Sequence, residues 1–179
     1  MKIRFAGFGG QGVVMCGVVF GQAAMYDGLR SQQTQSYGSA SRGGLTHSDV
    51  VIQEDEIYDL VNEEIDVLVA MSQMSHDRFT GELAPGGKLF YETDLVRVDP
   101  ESAIERHGIP ATNIAFMDLG RKVVMNMVMM GFVNEIAGVV SHDSLLRAIL
   151  SRVPKGTERL NEKAYREGMA RAAAPREVS

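Results

Sequence analysis

The chain has 179 residues, room for one sizeable α/β domain but not comfortably for two. Apolar residues make up 45 % and charged residues 23 %, with a formal net charge of −5 and no block of like charge, which argues against a dedicated nucleic-acid binder. A single cysteine, Cys16, excludes an internal disulfide framework and a self-contained iron–sulfur or cysteine-rich zinc site, and no apolar run reaches the ~20 residues of a membrane span.

In chain order, residues 2–6 read as a short strand ending in Gly7-Phe8-Gly9-Gly10-Gln11-Gly12. Residues 13–25 are apolar almost all round, as a helix buried on several sides would be. Residues 29–37 form a polar run, and a second glycine cluster follows at Gly38, Gly43 and Gly44. Residues 46–53 are a strand candidate, and residues 65–71 are apolar enough for the middle of a parallel sheet. A short helix is predicted over 72–83 with Ser72 as its cap, then a turn at Pro85-Gly86-Gly87 and a strand over 88–92. Further on, residues 100–107 are predicted as a helix, 114–117 as a short strand and 120–138 as a long methionine-rich helix. A helix over 141–152, capped by Ser141 or by His142-Asp143, and a charged helix over 157–172 complete the series, with a loose tail. Strands alternate with helices throughout. The expectation is a single-domain α/β fold: a Rossmann-like three-layer sandwich with a mostly parallel sheet, its main body over 1–152 and the charged helix and tail over 153–179.

Gly7, Gly9 and Gly12 satisfy G-x-G-x-x-G between a strand and a helix. Missing side chains there let backbone N–H groups and a helix N-terminus approach an anion such as phosphate, although tight turns use glycine for steric reasons alone. A dinucleotide site would also want a carboxylate about twenty residues on, to hold the ribose. Residues 30–35 offer none, which weighs against a self-sufficient NAD(P)-dependent oxidoreductase. In the second cluster, Arg42 between glycines can present its fork to phosphate or carboxylate, or can simply be solvated.

Gly7-Phe8-Gly9-Gly10-Gln11-Gly12-Val13, followed by Thr34-Gln35-Ser36-Tyr37-Gly38 closing on Arg42-Gly43-Gly44, strongly resembles the gamma subunit of 2-oxoacid:ferredoxin oxidoreductases. Residues 66–73 resemble that family's central strand, Pro85-Gly86-Gly87 and residues 109–112 its turns, and Gly120 through Gly131 its long helix. The likeness spans about residues 2–152. Where the family usually carries a proline and an acidic residue between the Tyr-Gly and Arg-Gly-Gly parts, this chain has Ser39 and Ala40.

The resemblance implies oxidative decarboxylation of a 2-oxoacid to an acyl-CoA, with electrons passed to ferredoxin. The wording of residues 34–38 is closest to the 2-oxoglutarate branch, ahead of pyruvate and branched-chain 2-oxoacids. It places thiamine diphosphate on alpha and beta chains and Fe–S clusters on beta or delta chains. To the gamma chain it gives assembly and a share in binding coenzyme A. No catalytic residue and no metal ligand is assigned to this chain: His47, His76, His107 and His142 lie far apart in the sequence. Expected ligand contacts are Gly7, Gly9, Gly10, Gln11 and Gly12, joined by Ser36, Tyr37, Arg42, Gly43 and Gly44 from the second segment. For Gln11 the alternative is an amide that braces the neighbouring loop; for Ser72 and Gln73 a plain helix cap is the better reading. Cys16 reads as an inert small hydrophobe, and the methionines at 125, 127, 129 and 130 as core before interface. Residues 1–4 do not read as a signal peptide, and a cytoplasmic setting is expected. A CoA- or nucleotide-sensing module outside any complex is the third reading, and self-association of the isolated chain as a homodimer stays open.

Overall fold

The computed structural model describes residues 1–37, 44–55, 57 and 64–173. Six strands, β1 (Lys2–Phe8), β2 (Arg30–Tyr37), β3 (Leu45–Gln53), β4 (Ile65–Ala70), β5 (Leu83–Glu92) and β6 (Glu105–Ile109), form one sheet in the order β2-β3-β1-β4-β5-β6. β1, β4, β5 and β6 pair in parallel, while β3 runs antiparallel between β1 and β2. Only β3 is reversed, so the sheet is mixed but mostly parallel, and the expected α/β single domain is what the chain forms.

One face is covered by α1 (Val13–Tyr26), α4 (Met125–Ala137), α5 (His142–Arg152) and α6 (Glu158–Ala173). Ile3, Phe5, Val67 and Val69 point into this layer, where the four methionines of α4 are all buried. α4 and α6 cross closely enough that a Cβ on Gly131 would strike the Tyr165 carbonyl, and one on Gly168 the Val128 carbonyl. α1 lies as close to the sheet, since a Cβ on Gly17 would strike the Ser48 hydroxyl. The opposite face carries the short α2 (Gln73–Phe79) over a small core of Ala6, Leu68, Ala70, Phe79 and Leu89. Beside that core, Arg4 donates to both Asp49 carboxylate oxygens at 2.7 Å and also bonds Glu82, with its guanidinium 4.6 Å from the centre of the Phe79 ring. Burial alone would raise the Asp49 pKa, but the Arg4 hydrogen bonds and charge outweigh it and hold the carboxyl below its usual value.

Several sequence expectations are corrected. The polar run at 29–37 is β2: its Ser31 hydroxyl donates to the Gly21 carbonyl at 2.8 Å and its Gln33 amide to Ser48 at 2.7 Å, so it meets α1 through polar contacts. Pro85-Gly86-Gly87 is a bulge inside β5, with Gly86 at φ 81°, rather than a turn before it. Residues 100–107 do not form a helix. Asp99 accepts from the Glu101 amide at 3.0 Å in a turn, and β6 follows with His107 and Ile109 facing inward. The strand expected over 114–117 is instead a helical stretch, α3 (Ala111–Asn113) running into a π-turn, Ile114–Asp118. Glu92 and Asp94 carboxylates accept from the Thr112 and Asn113 amides at 3.2 and 2.9 Å, and this holds the helical start. The long helix begins at Met125, after a 3₁₀ turn at Lys122–Val124, and the helix expected over 72–83 ends at Phe79. The expected loose tail at 174–179 lies outside the described residues.

Candidate functional site

β1, β4, β5 and β6 all end at the same edge of the sheet, where open α/β folds hold their ligands. The first glycine segment leaves β1 there. Gly10 and Gly12 adopt φ 93° and 76°, and Gly12 opens α1 with no side-chain cap, so first-turn N–H groups are left for an anion or water. Gly9 and Gly10 are exposed, and a Cβ on either would meet nothing within 4 Å. Gly7 is packed rather than open: a Cβ there would strike the Gln11 side chain. Gln11 is a brace in this structure, its oxygen accepting from the Phe8 amide at 2.6 Å and its nitrogen donating to the Met71 carbonyl at 2.8 Å. It fastens the turn to the end of β4.

The strands on either side of the second glycine segment, β2 and β3, meet the same edge. Phe8 pairs with Leu45 and Gly7 with Thr46, and Thr46 pairs with Tyr37 on its other side. The ends of the 38–44 connection therefore stand beside the first glycine turn. Ser36 is exposed on β2 and Gly44 is half-buried, whereas Arg42 and Gly43 lie outside the described residues, as does the Tyr37 side chain.

A cleft of about 230 Å³ opens next to the turn, lined by Gly10, Gly12, Met15, Asn126, Met127 and Leu160 among others. Asn126 is buried and its Oδ1 has no hydrogen-bond partner among the described residues; a Cβ on Gly12 would collide with its amide. Asn126 was legible only as one polar residue inside an apolar run. A wider hollow of about 630 Å³ around Gly28 and Gln32 sits at the start of β2, at the opposite end of the sheet from the first glycine turn.

Ser72 and Gln73 behave as structural groups. Ser72 caps α2 by accepting from the Ser75 amide at 3.2 Å, and Gln73 exchanges hydrogen bonds with the Arg97 backbone at 2.8 and 3.2 Å. Cys16 is fully buried and its thiol is pushed up to about 12, so it is no nucleophile at neutral pH. Among the described residues no three His, Cys, Asp or Glu side chains are grouped to hold a metal ion. A dinucleotide site does not fit either. The ribose-binding carboxylate is missing from β2, and an antiparallel strand separates β2 from β1.

A glycine turn at an uncapped helix start, on the carboxyl edge of a mostly parallel sheet, defines a Rossmann-like α/β domain. The family model for pyruvate ferredoxin/flavodoxin oxidoreductase matches residues 2–171. The 2-oxoglutarate synthase subunit KorC of Methanocaldococcus jannaschii is 40 % identical over 170 residues, covering 93 % of this chain and 91 % of its own. Its counterpart from Methanothermobacter marburgensis is 42 % identical over 174 residues, covering 93 % and 94 %. The keto/oxoacid ferredoxin oxidoreductase gamma subunit from Geobacter sulfurreducens superposes with a TM-score of 0.86 at 37 % identity, covering 97 % of this chain and 99 % of that one. The chain belongs to the pyruvate ferredoxin/flavodoxin oxidoreductase family, as a subunit of the gamma type. Among the described residues no helix is long and apolar enough to cross a membrane.

Proposed function

We propose that this chain is the gamma subunit of a cytoplasmic 2-oxoglutarate:ferredoxin oxidoreductase, and that its share of the reaction is to bind coenzyme A beside thiamine-bearing alpha and beta chains. The substrate reading rests on relatives. Three methanogen KorC subunits match at 40–42 % identity over nearly their whole length, against 31–32 % for pyruvate synthase PorC subunits, although the KorC of Archaeoglobus fulgidus matches at 29 %. The observation that carries coenzyme A binding is the continuity of the uncapped α1 start with the apolar cleft. Backbone N–H groups from Gly9 to the first turn of α1 suit a pyrophosphate. Met15, Met127 and Leu160 suit the methylene arm, and Asn126 its amides. Bound there, coenzyme A would supply the thiol that accepts the acyl group. This chain's residues would orient it and keep water away. Thiamine diphosphate and the Fe–S clusters fall to partner chains, since one buried cysteine cannot hold a cluster.

The test is reconstitution with the alpha and beta chains of the same organism. Reduction of ferredoxin should require 2-oxoglutarate, coenzyme A and all the chains together, and this chain alone should be inactive. Faster turnover of pyruvate would overturn the substrate, and turnover by the isolated chain the subunit role. Gly9→Val isolates the ligand site, because its Cβ meets open space at an ordinary φ and the fold is left intact. It should raise the KM for coenzyme A by about tenfold while the KM for 2-oxoglutarate stays put. An unchanged coenzyme A KM would break the assignment.

A further inference from the structure

Seven large apolar side chains are exposed among the described residues, and three of them, Phe116, Met117 and Val123, fall within eight positions. Scattered exposed hydrophobics need no explanation, but a cluster does. This one is held out by a rigid support. Ile114 and Ala115 are buried in the helix-side core on one side and Val124 on the other, so the residues between them are pinned at both ends. Within the loop the Gly120 amide donates to the Phe116 carbonyl at 3.1 Å and the Arg121 amide to the Ala115 carbonyl at 2.9 Å. Asp118 pairs with Arg171 at 3.2 Å, which ties the loop to α6. The π-turn at its start is a rare conformation that recurs at functional sites. A surface so preorganised loses little entropy on binding.

Its charge is equally particular. Arg121 and Lys122 are exposed between the apolar side chains and make no ion pair among the described residues; Lys122 lies 4.8 Å from the centre of the Phe116 ring. In a chain of net charge −5 this is a cationic, apolar patch. It complements an apolar hollow with an acidic rim.

In some relatives the same domain is part of a longer chain. The ketoisovalerate oxidoreductase subunit VorA of Methanothermobacter marburgensis matches 131 residues of this chain at 34 % identity, yet they cover only 27 % of it. The 2-oxoglutarate:ferredoxin oxidoreductase chain from Magnetococcus marinus holds the same fold, TM-score 0.87 at 20 % identity, in 32 % of its length. There the domain is continuous with a much longer chain, so a domain of this fold packs against further parts of such an enzyme. We infer that Phe116, Met117, Arg121 and Lys122 form the docking surface for an acid-rimmed apolar hollow on a thiamine-bearing partner chain. This inference rests on the subunit role proposed above. Val123 belongs both to this patch and to the lining of the cleft, so docking would close the cleft mouth and leave its ligand between two chains.

The test measures association of the purified chain with the co-purified alpha and beta chains of the same organism, with Phe116→Ser, Met117→Asp and, as a control, Met25→Asp. Met25 is equally exposed but sits at the far end of α1. Phe116→Ser and Met117→Asp should each weaken association by about tenfold or more, with unchanged thermal unfolding midpoints, while Met25→Asp matches the parent chain. Association of the parent chain should also weaken as salt rises, and Arg121→Glu should remove most of that dependence. Equal affinities for Met117→Asp and Met25→Asp would overturn the inference. So would loss of self-association rather than partner binding, since that makes the patch a contact between copies. If the parent chain itself fails to assemble, the subunit role fails and the docking surface falls with it.

Discussion

The two faces of the sheet are built on opposite terms. The face under α1, α4, α5 and α6 is mostly apolar and closely packed at Gly17, Gly131 and Gly168. The face under α2 has a small apolar core and a buried ion network, Arg4 with Asp49 and Glu82. The first gains stability from area removed from water, and tolerates no added volume. The second holds charges that are tolerated only while each keeps its partner. Mutations should therefore fail in different ways on the two faces.

The largest effect is expected at Arg4. Arg4→Met leaves the buried Asp49 with only the longer Lys2 contact at 3.5 Å, and should cost about 3 kcal/mol in urea unfolding. The double variant Arg4→Met/Asp49→Leu removes both buried charges and should recover most of that loss. If it is as unstable as the single variant, the network contributes more than mutual neutralisation, and the contrast between the faces is weaker than drawn here.

On the helix-covered face the matching change is Gly131→Val. Its Cβ meets the Tyr165 carbonyl, which belongs to helix backbone and cannot swing aside. The two helices must separate, at a cost of about 2–3 kcal/mol, measurable as a lower urea midpoint. Gly17→Ala strikes a serine hydroxyl that can rotate, and should cost less.

The same contrast explains what could be read from the sequence. β1, the glycine turn, α1, β4 and α4 were legible because continuous apolar runs and glycine spacing announce them. β2 was not legible as a strand, because its inward side chains, Ser31 and Gln33, are satisfied by a helix carbonyl and a serine rather than by apolar area. β6 was missed because its charged edge residues hid an alternation carried only by His107 and Ile109. The first glycine turn was expected at a strand end, but the Gln11 brace and the neighbouring Asn126 depend on contacts 60 and 114 residues away along the chain, since Gln11 reaches Met71 and Asn126 packs on Gly12 (126 − 12 = 114). No local pattern encodes those distances. Arg4 and Asp49 were likewise unremarkable charges until β1 and β3 paired.

The smallest effect, and the one with the opposite sign, should come from Glu92. This carboxyl is fully buried at the end of β5, with no cation against it among the described residues. Oε1 accepts from the Thr112 amide, but Oε2 has no hydrogen-bond partner among the described residues. Burial raises its pKa above the ordinary 4.5, and the nearby Asp94 charge adds to that, against weaker lowering by the Thr112 and Asp94 backbone hydrogen bonds. In the pH range between the unfolded and folded values the native state then binds more protons than the unfolded chain. Stability from this group is complete below about 4.5 and is lost as pH rises through the folded value. Glu92→Gln keeps the acceptor for the Thr112 amide and removes the ionisation. It should stabilise the fold at neutral pH and flatten the fall in unfolding free energy measured from pH about 4 to about 8. Were Glu92→Gln instead to destabilise at neutral pH, the carboxylate would have to be ionised and held by a cationic group or ligand, and the rule that this domain buries charge only in pairs would extend to its carboxyl edge.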